Sequence, residues 1–231
     1  MKNNQMSESV LTACFLSMSG GLQDAYTYMY RGKVFANAAT GNIVLLSQCI
    51  AEKDPITAIR YIVPILFFAS GIFISESIRL IFKDKSMAIH WRQLVLVLEI
   101  PLLFVVGFLP RTFTANLFAN AMVSLACSMQ VQSFRKVNGY AYSSTMCIGN
   151  MRSGMDSFCH YVHTKEPEYL RKSLHYFAII LLFGVGAALG GQILPLLKVK
   201  TIWLSCALLS VSFLMMYARE EEELFKAHRH K

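Results

Sequence analysis

Apolar residues in this chain come in long runs divided by short polar stretches. The runs fall at about 10–30, 43–51, 58–82, 93–109, 112–133, 151–162, 174–197 and 202–217. A helix needs about 20 apolar residues to cross a bilayer. Six of the runs are near that length, whereas 43–51 is too short and 151–162 carries Arg152, Asp156 and His160. The pattern predicts an all-α polytopic membrane protein with about six transmembrane helices and two short half-helices or re-entrant segments.

The stretch 17–42, SMSGGLQDAYTYMYRGKVFANAATGN, departs most from this pattern. It sets a carboxylate, Asp24, just after Gly20-Gly21, passes a basic turn at Arg31-Gly32-Lys33, and ends in a polar knot, Thr40-Gly41-Asn42. The glycine pair predicts a broken helix, and Thr40 with Asn42 predicts a cap for the short helix that follows. Ionisable residues and interrupted helices are costly in lipid and usually face protein interior or a watery cavity.

A weaker copy runs from Ser128 to Asn150. Ser128-Met129-Gln130-Val131 stands where Gly21-Leu22-Gln23-Asp24 stood, 107 positions on. Cys147-Ile148-Gly149-Asn150 answers Ala39-Thr40-Gly41-Asn42, with Arg135 and Lys136 making the basic turn between. Val131 replaces the carboxylate. The ordered match predicts a duplication, with repeats at 1–111 and 112–218 and a solvated, charged cytoplasmic tail at 219–231. Three spans per half, an odd number, would place the second copy upside down relative to the first, as in many secondary transporters.

Composition agrees. The 231 residues are 55% hydrophobic and 16% charged, where soluble domains carry nearer a quarter charged. The net charge of +8 then reads as loop charge that orients the chain, and no nucleic-acid partner is expected. With six spans, the 22 Lys and Arg divide 15 against 7, which places both termini in the cytoplasm; if the short segments also span, they divide 11 against 10 with Arg152 stranded. Arg31 and Lys33 outweigh Lys2 around the first span, against the rule. That first run reads as retained, not as a cleaved signal. The six cysteines, mostly in apolar runs and without CxxC spacing, read as packing residues. In 174–197, Gly186 and Gly190 have the four-residue spacing that lets helices approach closely in lipid.

GGLQDAYTY, VFANAATGN and the block Gly149 to Gly154 resemble the YoaK-like family of bacterial inner-membrane proteins. The resemblance covers most of the chain, and its G-x-x-D…N-x-x-T-G-N pattern falls on Gly21, Asp24, Asn37, Thr40, Gly41 and Asn42. It implies membrane class and an internal repeat but no substrate, the family being a domain of unknown function. It also implies a polar residue where Val131 stands, a place Gln130 or Gln132 could fill.

The residues expected along a substrate or ion pathway are Asp24, Gln23, Asn37, Thr40, Asn42, Gln130, Gln132 and Asn150. Gly20, Gly21, Gly41 and Gly149 are the expected helix-break glycines. Glu76 and Glu99, inside apolar runs, are weaker candidates, and Arg152 with Asp156, four apart, reads as an ion pair on one helix face. Asp24 has two readings: a proton or cation carrier, or a brace for a broken helix. No metal site, catalytic constellation or cofactor is expected. The sequence thus predicts a small, proton-coupled secondary transporter or permease for a small polar solute or ion. The alternative is a non-transporting intramembrane scaffold or sensor. Its partners would be the inner-membrane lipid bilayer and that solute, with a homo-oligomer as a further expectation.

Overall fold

A computed structural model of the chain describes residues 10–82, 90–137 and 140–229. Among them are eight α-helices and one small antiparallel hairpin. The helices are α1 (Val10–Tyr30), α2 (Ala39–Ala51), α3 (Pro55–Phe82), α4 (Trp91–Val106), α5 (Phe113–Ser133), α6 (Cys147–Thr164), α7 (Pro167–Leu197) and α8 (Ile202–Arg229). Strands β1 (Lys136–Val137) and β2 (Tyr140–Ala141) pair Lys136 with Ala141 between α5 and α6. Each apolar run is a helix. The segment read as a tail instead continues α8 as far as Arg229.

The core is mixed, with Leu16, Leu96, Leu103 and Leu209 buried beside many polar groups. The interior buries Ser19, Gln23, Arg31, Asn37, Gln93, Glu99, Asn120 and Gln130, while Phe73 (74% exposed) and Leu80 (70%) stand on the surface with Ile56, Ile59 and Leu66. A water-soluble monomer rarely exposes so much contiguous apolar surface. Two stretches, Pro55–Phe82 and Pro167–Ala218, are long and apolar enough to cross a membrane by length and composition.

The two halves pack by exchange. α1 lies on α7 and α8, α5 lies on α3 and α4, α2 packs on α3, α6 packs on α7, and α4 meets α8. Swapping α1–α4 with α5–α8 maps this set of pairs onto itself.

Glycines make the closest of these contacts. A Cβ on Gly186 would overlap the Met18 carbonyl, and one on Gly71 would overlap the Leu125 carbonyl. Met18 and Leu125 are 107 positions apart, the same offset as between the two similar sequence stretches. Gly190 sits on Leu22, one turn beyond the Gly186 contact, so the expected close approach of α7 is made against α1.

Gly20 and Gly21 do not break their helix, because α1 runs through both. Gly21 instead leaves room for the Phe183 carbonyl of α7. Gly41 and Gly149 are likewise inside the first turns of α2 and α6. A glycine with a neighbouring helix pressed on it carries the same sequence signal as one that breaks a helix.

Candidate functional site: two doubled-back segments beside Gly20

After Tyr30 the chain turns back along α1. Gly32 (φ +99°) and Lys33 (φ 64°) take left-handed conformations, and the Lys33 N–H donates to the Tyr28 carbonyl (3.1 Å). Phe35 then stacks on Tyr28 with ring centroids 4.3 Å apart. Asn37 donates its N–H to Asp24 Oδ1 (2.9 Å) and its Nδ2 to the Gly20 carbonyl (3.1 Å). Gly20 is ten residues before Tyr30, roughly 15 Å of helix. The chain has therefore returned to the middle of α1 before α2 begins. α2 leads outward again, since Cys49 near its end packs with Val34 and Tyr61.

The stretch before α6 follows a similar course. Past the hairpin, the Tyr142 N–H donates to the Arg135 carbonyl (3.0 Å), and Ser144 Oγ accepts from Gln130 Nε2 (2.7 Å). Thr145 then presses on Gly20. α6 leads away with Gly154 against Tyr176 and Phe177 of α7, and the Tyr176 hydroxyl donates to the Ala141 carbonyl (2.7 Å). Both returning segments thus meet α1 at Gly20.

Asn42 and Asn150 fix these bends. Each lies in the first turns of its helix and reaches back to bond both backbone groups of the residue seven positions earlier, Phe35 and Ser143. The expected capping by Thr40 and Asn42 is not what forms. The N-cap of α2 is Ala38, without a side-chain bond, and Thr40 is exposed. A Thr-Gly-Asn knot marked the right place and the wrong bond.

A buried polar network adjoins the meeting point. Gln23 Nε2 donates to Ser19 Oγ and Ser205 Oγ (both 2.9 Å), and the Cys127 thiol donates to Gln23 Oε1. Gln130 Nε2 also donates to the Leu16 carbonyl (3.2 Å). Cys127 lies within electrostatic reach of Asp24 and of Glu99, which is 1% exposed and whose Oε1 has no partner among the described residues. Asp24, Gln23, Asn37, Gln130 and Glu99 are therefore brought into one region.

Other expected residues lie elsewhere. Gln132 donates to Glu76 Oε2 (2.7 Å), and Glu76 also pairs with Arg79 and Arg135 at a partly exposed end of α3. Neither Glu76 nor Gln132 joins the interior network. Two residues on a helix are about 200° apart, so Gln130 and Gln132 face opposite ways. Arg152 and Asp156 are exposed on α6, where Asp156 approaches His160 (3.9 Å) in place of the expected arginine.

Arg31 is the feature the sequence concealed. Read as a loop charge, it is 0% exposed. Its Nε donates to the Tyr26 hydroxyl (2.8 Å), Nη1 to the Pro110 carbonyl and Asn116 Oδ1, and Nη2 to the Val106 and Leu109 carbonyls. All five guanidinium N–H groups are thus spent on neutral oxygens. Val106 ends α4, where unpaired carbonyls carry partial negative charge. Ser19, Ser205, Cys127, Thr145 and Asn120, which donates to the Arg31 carbonyl (2.9 Å), also escaped sequence reasoning. Small polar residues in apolar helices give no signal of which neighbour they meet.

A helix bundle that buries this many polar side chains yet exposes this much apolar surface is a helical membrane protein. The model of the family described as "Protein of unknown function (DUF1275)" matches residues 12–215, and the chain belongs to that family. The chain is similar to the UPF0700 transmembrane protein YoaK of Bacillus subtilis (strain 168), 25% identical over 201 residues that cover 84% of this chain and 88% of the relative. No solved structure matches.

Proposed function

We propose that this membrane protein is a small secondary transporter or permease that moves a small polar solute, coupled to protons through Asp24. The observation that carries the reading is the meeting of two doubled-back segments at Gly20, with the Asp24 carboxylate bonded to one of them. Irregular backbone at mid-helix depth in a membrane bundle marks substrate sites in transporters, where broken or re-entrant segments from two repeats converge.

The proposal includes six spans in two inverted repeats, 1–111 and 112–218, in a bacterial inner membrane with both termini cytoplasmic. Three observations support it. The main helix pairs survive exchange of the halves, the minor α3–α4 contact excepted. The basic residues gather at two ends: Arg60, Arg111 and Val199, between Lys198 and Lys200, lie around Tyr26, Tyr30 and Phe113, while Arg79, Arg135 and Arg92 lie around Glu76 and Ser133. Arg31, buried, is no longer a loop charge, so the division becomes 15 against 6 and the local conflict at the first span eases. Lys2, Lys83, Lys85 and Lys231 in that count lie outside the described residues. The proposal assigns no catalysis.

The test is Asp24→Asn, nearly isosteric and unable to ionise. Proton-coupled solute flux in liposomes is expected to disappear while the melting curve in detergent stays close to wild type. Full coupled flux in the variant overturns the carrier role. The scaffold reading draws on the same Asn37 bond and expects Asp24→Leu to destabilise by about 1–3 kcal/mol through the unpaired N–H, with no solute flux in any variant.

A further inference from the structure

Leu16, Gly20 and Asp24 follow one another at four-residue intervals on α1 and present one face. Along it, Gln130 Nε2 meets the Leu16 carbonyl, Thr145 and the Asn37 amide meet Gly20, and the Asn37 N–H meets the Asp24 carboxylate. Both amides turn nitrogen toward protein: Asn37 to the Gly20 carbonyl, Gln130 to the Leu16 carbonyl and Ser144 Oγ. Reversing either amide would set oxygen against a carbonyl, so these partners fix the orientation.

The opposite atoms are the orphans. Asn37 Oδ1, Gln130 Oε1 and Thr145 Oγ1 are buried without a hydrogen-bond partner among the described residues. Each such atom costs about 1–3 kcal/mol, so a fold does not gather several in one place without use for them. Thr145 can donate only one hydrogen, which leaves acceptors in excess of donors beside the Asp24 carboxylate.

We infer that Asp24, Asn37, Gln130 and Thr145 form the binding site for a small monovalent cation, either an alkali ion or an ammonium group. The inference rests on the permease reading and names its solute class. Carboxylate, amide and hydroxyl oxygens are hard ligands that suit an alkali ion, and the same oxygens accept the N–H groups of an ammonium. The start of α2, whose dipole would repel a cation, is preceded by the Asn37 N–H on Asp24, which sets a full negative charge against that partial positive one. An anion would face two amide oxygens and a carboxylate.

The experiment uses the full chain in detergent and reads melting temperature at fixed ionic strength. Sodium, potassium, ammonium and methylammonium chlorides are titrated against choline chloride, whose cation is too bulky. A saturable rise with at least one of the four is expected, since a ligand that binds only the folded state raises its stability. The alkali and ammonium arms identify which source of the charge is bound. Thr145→Val and Asp24→Asn should each weaken apparent affinity tenfold or more. No rise above choline, or wild-type affinity in both variants, overturns the inference. If both variants fail to fold, the wild-type titration alone decides. Cation-dependent stabilisation without flux keeps the inference and overturns the permease reading. Proton-coupled flux of a neutral or anionic solute without cation-dependent stabilisation does the reverse.

Discussion

Asn42 and Asn150 hold their chains by the same two hydrogen bonds. Nδ2 donates to the carbonyl seven residues back at 2.6 Å in both, and Oδ1 accepts the N–H of that residue at 3.3 Å for Asn42 and 3.2 Å for Asn150. A side-chain amide here takes the part of a neighbouring strand, satisfying a stretch of backbone that no helix or sheet pairs.

Removing either amide should therefore cost the same. Asn42→Ala and Asn150→Ala each strip two backbone groups of their partners, with an expected loss of about 1–3 kcal/mol per buried group left unpaired. Chemical denaturation in detergent would measure both. A large loss in one and none in the other would show that the two clamps differ in weight.

The glycines sort into two groups. Gly21→Ala, Gly71→Ala and Gly186→Ala each drive a methyl into a backbone carbonyl of a facing helix, and overpacking of this kind costs about 1–3 kcal/mol or more. Gly149 and Gly184 have nothing within 4 Å of a new Cβ, so alanine there should be neutral or stabilise by up to about 1 kcal/mol. Size-exclusion profiles of tagged variants after heating would separate the groups.

Orientation is open to cysteine labelling in a cysteine-free background. A cysteine at Asp54, in the turn between α2 and α3, should react from the periplasm. One at Lys165, in the left-handed turn after α6, should react only from the cytoplasm. The reverse pattern would invert the proposed topology, and labelling of both from one side would break it.

Asp54 also ties stability to pH. Its Oδ1 accepts the Thr57 N–H (3.0 Å) at the start of α3, and that bonding to Thr57 holds its carboxyl below the ordinary carboxylate value. A depressed folded-state value means that this stabilisation is present above the unfolded value, about 4, and fades as pH falls through the lower folded one. Melting temperature measured from neutral pH downward should show an acid limb that flattens in Asp54→Asn.

The helices were legible because apolar runs of that length admit few other structures; α1 spans Val10–Tyr30 as the pattern predicts. Aligning the two similar stretches matched Gln23 with Gln130, and both are buried. What stayed hidden depends on distant partners. Gly21 looks like a break until Phe183 is known to lie against it, and Arg31 looks like a loop charge until the end of α4 is known to receive it. Gln132 looks equivalent to Gln130 until the helix is built and Glu76 is found beside it. Asn42 announced a helix start correctly, yet its bond goes back to Phe35, a geometry that no capping rule encodes.

The guanidinium of Arg31 has a consequence for how the chain is made. Four of its five acceptors belong to Val106, Leu109, Pro110 and Asn116, which follow it by 75 to 85 positions. At about 5–20 residues per second, synthesis takes roughly 4–17 s to reach Asn116 after Arg31. During that interval only Tyr26, already synthesised, is there to receive the charge. Until the α4–α5 connection arrives, water or lipid headgroups must stand in for those four acceptors. The end of α1 therefore reaches its final depth only once the α4–α5 connection is in place.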